Sequence, residues 1–117
     1  MSKRNPLATW RNKCDKQLQL KVHETYKQCL LCPNPCTVGH HFFPKSVSSA
    51  LRYVWDNIIP LCQGCHMRLH NSGDPRYEQQ IVNIKGERWY EALEAHARDY
   101  TKTNIEYYKG VYQNLIN

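Results

Sequence analysis

Cys29-Leu30-Leu31-Cys32 and Cys62-Gln63-Gly64-Cys65 are two C-x2-C knuckles with 29 residues between them, and their reading decides how the chain folds. Each knuckle can place two thiolates about 2.3 Å from one Zn²⁺, and two knuckles complete a closed tetrahedral shell. Such a site is structural because it leaves no coordination position open for chemistry. Its work is to fasten the two ends of the intervening loop, so that metal-binding free energy becomes folding free energy. Disulfides or unbound thiols are the competing reading, disfavoured in a reducing compartment. Cys36 is also within ligand range of Cys29, but Cys29/Cys32 mirrors Cys62/Cys65, and Cys36 lies beyond Pro33 and Pro35, where it fits a small buried residue.

Working outward, the chain has 117 residues, the size of a single domain over 1–117 with a modest core that gains from a metal staple. No apolar run approaches the roughly 20 residues of a membrane span, and MSKRNPLATW lacks a signal-peptide apolar region, so a cytoplasmic location is expected. The formal charge of +6 is unevenly spread: residues 1–27 carry +5, residues 28–73 carry +2 and residues 74–117 carry −1. A basic N-terminal segment beside a mildly basic middle suits a polyanionic partner, and the final third does not.

Residues 7–26 place Leu7, Trp10, Cys14 and Leu18 at spacings of three and four, which predicts an amphipathic helix within a basic segment 1–28. From Cys29 to Val47, Pro33, Pro35, Gly39 and Pro44 predict loop and short strand. A helix is predicted to start over Cys65 to His70, stopped by Asn71-Ser72-Gly73-Asp74-Pro75. The extension 75–117 reads as helical, with one stripe of Trp89, Tyr90, Leu93 and Ala97 and another of Ile105, Tyr108, Tyr112 and Leu115. Both stripes are expected to pack against the metal centre or a second copy of the chain.

Four of the six histidines fall between residues 40 and 70: the doublet His40-His41, and His66 with His70 one helical turn apart. Asn57 lies between the pairs. A doublet, an i,i+4 pair and a zinc frame drawing them together read as a second, catalytic metal site.

The order Gly39-His40-His41-Phe42-Phe43-Pro44, then Asp56-Asn57-Ile58-Ile59-Pro60-Leu61-Cys62-Gln63-Gly64-Cys65-His66, resembles the HNH endonuclease motif over residues 29–70. The spacing from Asn57 to His66 to His70 is also similar to that of the HNH colicin DNases. The resemblance implies an α+β fold, a small ββα-metal core stapled by the four-cysteine zinc site and flanked by N- and C-terminal helices. It implies a divalent-metal-dependent DNA endonuclease with His41 as general base and His40 as metal ligand. Asn57 would pin the loop whose backbone carbonyl accepts from the base's other nitrogen. His66 and His70 would complete the ligand set, although His70 could instead contact phosphate. Imidazoles suit Zn²⁺, Ni²⁺ or Mn²⁺ better than Mg²⁺, which prefers oxygen, so the catalytic metal stays open among these.

Leu51-Arg52-Tyr53, Asn57, the second knuckle and the stretch from Gly86 to Leu93-Glu94 give a weaker resemblance to the phage NinG/Rap recombination endonucleases, whose expected asparagine is replaced here by His66. It implies a phage-encoded enzyme working in a host cytoplasm on DNA recombination, processing or packaging. Lys45, Arg52, Arg11 and Lys13 are candidates for backbone phosphates, which confer affinity without sequence preference. The alternative is a catalytically inactive, zinc-stapled DNA-binding module. The Tyr-rich C-terminal helix offers a homodimer contact.

Overall fold

The computed structural model describes residues 5–117, so residues 1–4 of the expected N-terminal segment lie outside it. The first helix, α1 (Pro6–Thr25), begins at Asn5, whose side chain accepts from the Leu7 amide, with Pro6 pre-set for the first turn. Its inward stripe is Cys14, Leu18 and Val22, spaced by one helical turn. The chain then passes through the first knuckle into β1 (Val38–His41) and, after a 3-10 turn at Trp55–Asn57, into β2 (Ile58–Leu61). The two strands pair antiparallel, with His40 opposite Ile59 and His41 opposite Ile58.

All four residues of β2 are buried because the strand is covered on both faces. Ile58 packs with Leu18, Val22 and Leu115 on the α1 side, whereas Ile59 and Leu61 face Cys29, Cys62, Cys65 and Ile81 on the other. This is strand alternation applied to a strand between two layers. Gly39 in β1 permits the α1 contact: a Cβ there would sit 2.7 Å from Val22 Cγ2 and 2.8 Å from Ile58 Cγ2. Gln19 on α1 closes the contact, accepting from the Gly39 amide at 2.8 Å and donating to its carbonyl at 3.0 Å.

After β2, α2 (Gln63–Ser72) starts two residues earlier than Cys65, because the Cys62 sulfur caps it by accepting from the Cys65 amide. It stops at Gly73, whose φ of 63° is the left-handed conformation that glycine adopts cheaply. Asp74 caps α3 (Pro75–Lys85), and α4 (Glu87–Glu94) and α5 (Ile105–Ile116) follow.

The two C-terminal stripes have different destinations. Trp89 packs against Phe42 and the cysteine cluster, and its indole donates to the Asp56 carbonyl, while Leu93 and Ala97 pack on Leu51. The α4 stripe therefore does pack, through Trp89, against the cysteine cluster. The α5 stripe does not. Leu115 joins Leu18 and Val22, Trp10 meets Tyr112 edge-on, and Cys14 donates to the Tyr108 carbonyl, so α1 covers α5 within one chain. The apolar stripe of α1 and that of α5 satisfy each other, a pairing across about 90 residues of sequence that periodicity cannot register. Among the described residues no helix is long and apolar enough to cross a membrane.

Candidate metal centres and active site

Cys29, Cys32, Cys62 and Cys65 bring their four sulfurs within 4.8 Å of one another, with Cys32 and Cys62 at 3.5 Å. A tetrahedral shell with Zn–S of about 2.3 Å requires sulfurs roughly 3.8 Å apart, so the donor set fits the ion. The backbone prepares it. The Cys65 amide points at the Cys62 sulfur and pushes that thiol down to about 6, while burial and the neighbouring sulfurs push Cys65 up. Crowded thiolates of this kind are relieved by a bound cation.

The other two cysteines stand apart. Cys36 directs its sulfur to the Val38 carbonyl at 3.7 Å, and Cys14 directs its own to the Tyr108 carbonyl at 3.2 Å. Both thiols are raised, burial being the first cause. They are small buried core residues, and the sulfurs that cluster are those of Cys29, Cys32, Cys62 and Cys65.

His40, His66 and His70 form the second cluster, their ring nitrogens again within 4.8 Å of one another. The strand supplies the first and one face of α2 the other two, with His66 and His70 Nε2 atoms 2.9 Å apart. Burial, then the nearby His66 and His70, hold His40 down to about 4, and burial followed by His70 lowers His66. Both imidazoles therefore stay neutral at physiological pH, the state in which they bind metal.

His41 follows His40 in the strand, so its side chain leaves by the opposite face. Its Nε2 lies 2.9 Å from the Arg52 carbonyl. A carbonyl can only accept, so Nε2 carries the hydrogen and the neutral ring keeps its lone pair on Nδ1. Burial lowers the His41 pKa against the raising effect of that bond, and the Lys45 and Arg52 charges lower it further.

Asn57, fully buried, holds the intervening loop at both ends. Its Oδ1 accepts from the Phe43 amide at 2.8 Å, and its Nδ2 donates to the Phe43 carbonyl at 3.1 Å and the Leu51 carbonyl at 3.2 Å. The Ser48 hydroxyl takes the Leu51 amide.

A cleft of about 280 Å³ is lined by His40, His41, His66, His70, Gln19 and Lys45, among others. A larger cavity of about 520 Å³ lies between Leu51 and α4, but its walls are mainly apolar and the convergent imidazoles are in the smaller one. Of the expected phosphate contacts, only Lys45 lines this cleft. Arg52 is instead engaged by Asp15 through Nε at 3.2 Å and Nη2 at 2.6 Å. Lys13 sits over the Trp10 ring at 4.4 Å, and the Arg11 carbonyl accepts from the Tyr53 hydroxyl. Gln19 and Asp15 were not legible as site residues, since each reaches its partner from a helix 20 to 38 positions away in sequence.

No match was found among curated proteins or among solved structures. The HNH endonuclease family model matches residues 28–72. That segment holds both cysteine knuckles, the histidine triad, His41 and Asn57, so over these residues the chain is similar to the HNH endonucleases.

Proposed function

We propose that the chain is a divalent-metal-dependent DNA endonuclease that hydrolyses phosphodiester bonds in the histidine-lined cleft. The observation that carries this reading is the placement of His41, with Nε2 committed to the Arg52 carbonyl, in the same cleft as the three clustered imidazoles of His40, His66 and His70. His41 Nδ1 takes the proton of a water whose oxygen attacks phosphorus, the bond to the 3′ oxygen breaks, that oxygen takes a proton from solvent water, and a 5′-phosphate and a 3′-hydroxyl result, His41 returning its proton to solvent. His40, His66 and His70 would hold the metal. Bound there, it would supply Lewis-acid charge relief to the reacting phosphate. Lys45 at the rim of the cleft contributes charge to the phosphate backbone. The four cysteines, with zinc, fasten β2 and α2 to the first knuckle and thereby set His40 against His66.

The weaker likeness to the phage NinG/Rap enzymes favours a phage-encoded role in DNA recombination, processing or packaging. A dimer through α5 would have to use residues other than Tyr108 and Leu115, which are buried within the chain.

Purified protein incubated with supercoiled plasmid and Mg²⁺, Mn²⁺, Ni²⁺ or Zn²⁺ tests the reading. Nicking or linearisation with at least one metal, abolished in His41→Ala, is expected. Retention of DNA in a mobility shift without cleavage under any metal would instead make the protein a zinc-stapled binding module.

A further inference from the structure

The segment Leu51-Arg52-Tyr53 carries the carbonyl on which His41 depends, and it is anchored from two sides. From the motif side, Asn57 and Ser48 take the Leu51 carbonyl and amide. From the other side, one residue of α1 takes both of the next side chains. Asp15 receives the Arg52 guanidinium through two parallel bonds and the Tyr53 hydroxyl at 2.7 Å. Arg–carboxylate pairs of this bidentate kind are directional as well as strong. The pair is largely shielded, at 21% and 27% side-chain exposure, and so keeps more of its strength than a surface ion pair. Asp15 lies outside the family match, which begins at residue 28.

We infer that Asp15 is a positioning residue for the nuclease reaction: by holding Arg52 and Tyr53 it keeps the Arg52 carbonyl on His41 Nε2, and so fixes the tautomer that leaves Nδ1 free to accept a proton. The inference rests on the reading of His41 as general base. Arg52 and Lys45 both carry positive charge near Asp15, and neither Arg52 nor Asp15 lines the cleft. Arg52 therefore serves the site through its main chain, with its side chain as the anchor. The Tyr53 hydroxyl remains a donor at all ordinary pH values, because burial and then Asp15 raise its pKa.

Two variants of opposite charge change separate positioning from phosphate attraction. Asp15→Asn makes the protein more basic and Arg52→Gln makes it less basic, yet both break the same anchor while retaining the Arg52-position carbonyl. With zinc-loaded, full-length protein, both are expected to lower kcat for plasmid cleavage about 10- to 100-fold, with KM for DNA changed by less than about threefold. Asp15→Glu is expected to recover part of the loss. The direct signature is the His41 tautomer, read from long-range ¹H–¹⁵N correlations at neutral pH: Nε2–H in wild type, and a mixture in both variants.

Opposite shifts in KM with kcat held would show that Arg52 acts by charge, and would overturn the inference. So would an unchanged tautomer in folded variants. If both variants fail to fold, Tyr53→Phe, which removes only one donor from Asp15, is expected to lower kcat in the same direction and more weakly; no change would again overturn it. If the wild type cleaves nothing, the nuclease reading fails separately, and the tautomer measurement alone decides what Asp15 does.

Discussion

Replacing Asn57 with alanine removes three hydrogen bonds at once from a side chain with no solvent exposure: one accepted from the Phe43 amide and two donated to the Phe43 and Leu51 carbonyls. At a net value near 1 kcal/mol each, their loss costs about 3 kcal/mol. The hole left by the carboxamide adds to this unless water enters and takes over the orphaned groups, which sets a ceiling of roughly 5 kcal/mol. Urea denaturation at fixed zinc concentration measures the change. With a slope of about 1–3 kcal/mol/M, the midpoint should fall by on the order of 1–3 M with the slope unaltered. The loop between Phe43 and Leu51 should then loosen around the Arg52 carbonyl, so cleavage should fall by more than the unfolded fraction explains. Far-UV circular dichroism in the absence of urea gives that fraction. A loss under about 1 kcal/mol would show that other contacts hold the loop. Full activity in a folded Asn57→Ala protein would refute the role given to the clamp.

Three further expectations concern the zinc frame, the helix contact and pH. Cys29→Ser should release zinc and unfold the region around β1, β2 and α2, whereas Cys36→Ser should keep one zinc per chain by metal analysis, since its sulfur faces the Val38 carbonyl; zinc loss from Cys36→Ser would refute the ligand assignment. Gly39→Ala should cost about 1–3 kcal/mol in the same denaturation assay, because the new methyl meets Val22 and Ile58 and forces α1 away from β1; an unmoved midpoint would disprove the close approach. His40, with its pKa lowered from 6.5 to about 4 by burial and then by His66 and His70, binds fewer protons folded than unfolded between those values. With the triad metal-free, its contribution to stability is therefore complete above pH 6.5 and is lost as pH falls through about 4, and His40→Asn should flatten that part of the stability curve. A His40→Asn curve parallel to wild type over this window would count against the burial of the neutral ring.

The four-cysteine cluster and the histidine triad were legible because potential metal sites reuse a few residue types at short, repeated spacings. Cys29 with Cys32, Cys62 with Cys65 and His66 with His70 are each set within one turn or knuckle, so local geometry alone brings their donors together. Helix ends were legible for the same local reason: Gly73 and Asp74-Pro75 act through their own backbone preferences. The strand alternation that sends His40 to the triad and His41 to the Arg52 carbonyl also follows from adjacent positions, once β1 is known to be a strand.

What the tertiary structure alone decided lies in contacts between distant segments. The pairing of α1 with α5 took the C-terminal stripe away from any partner chain, because two amphipathic faces complement each other without a sequence mark of which face meets which. Arg52 read as a free cation and is an anchored one, since a charge in sequence carries no record of the Asp15 that will face it 37 positions away. Local spacing thus determined the chemistry available to this protein. Packing between α1 and the motif decided which groups are left to use it, because solvation, pairing and direction belong to the assembled site and not to any one segment.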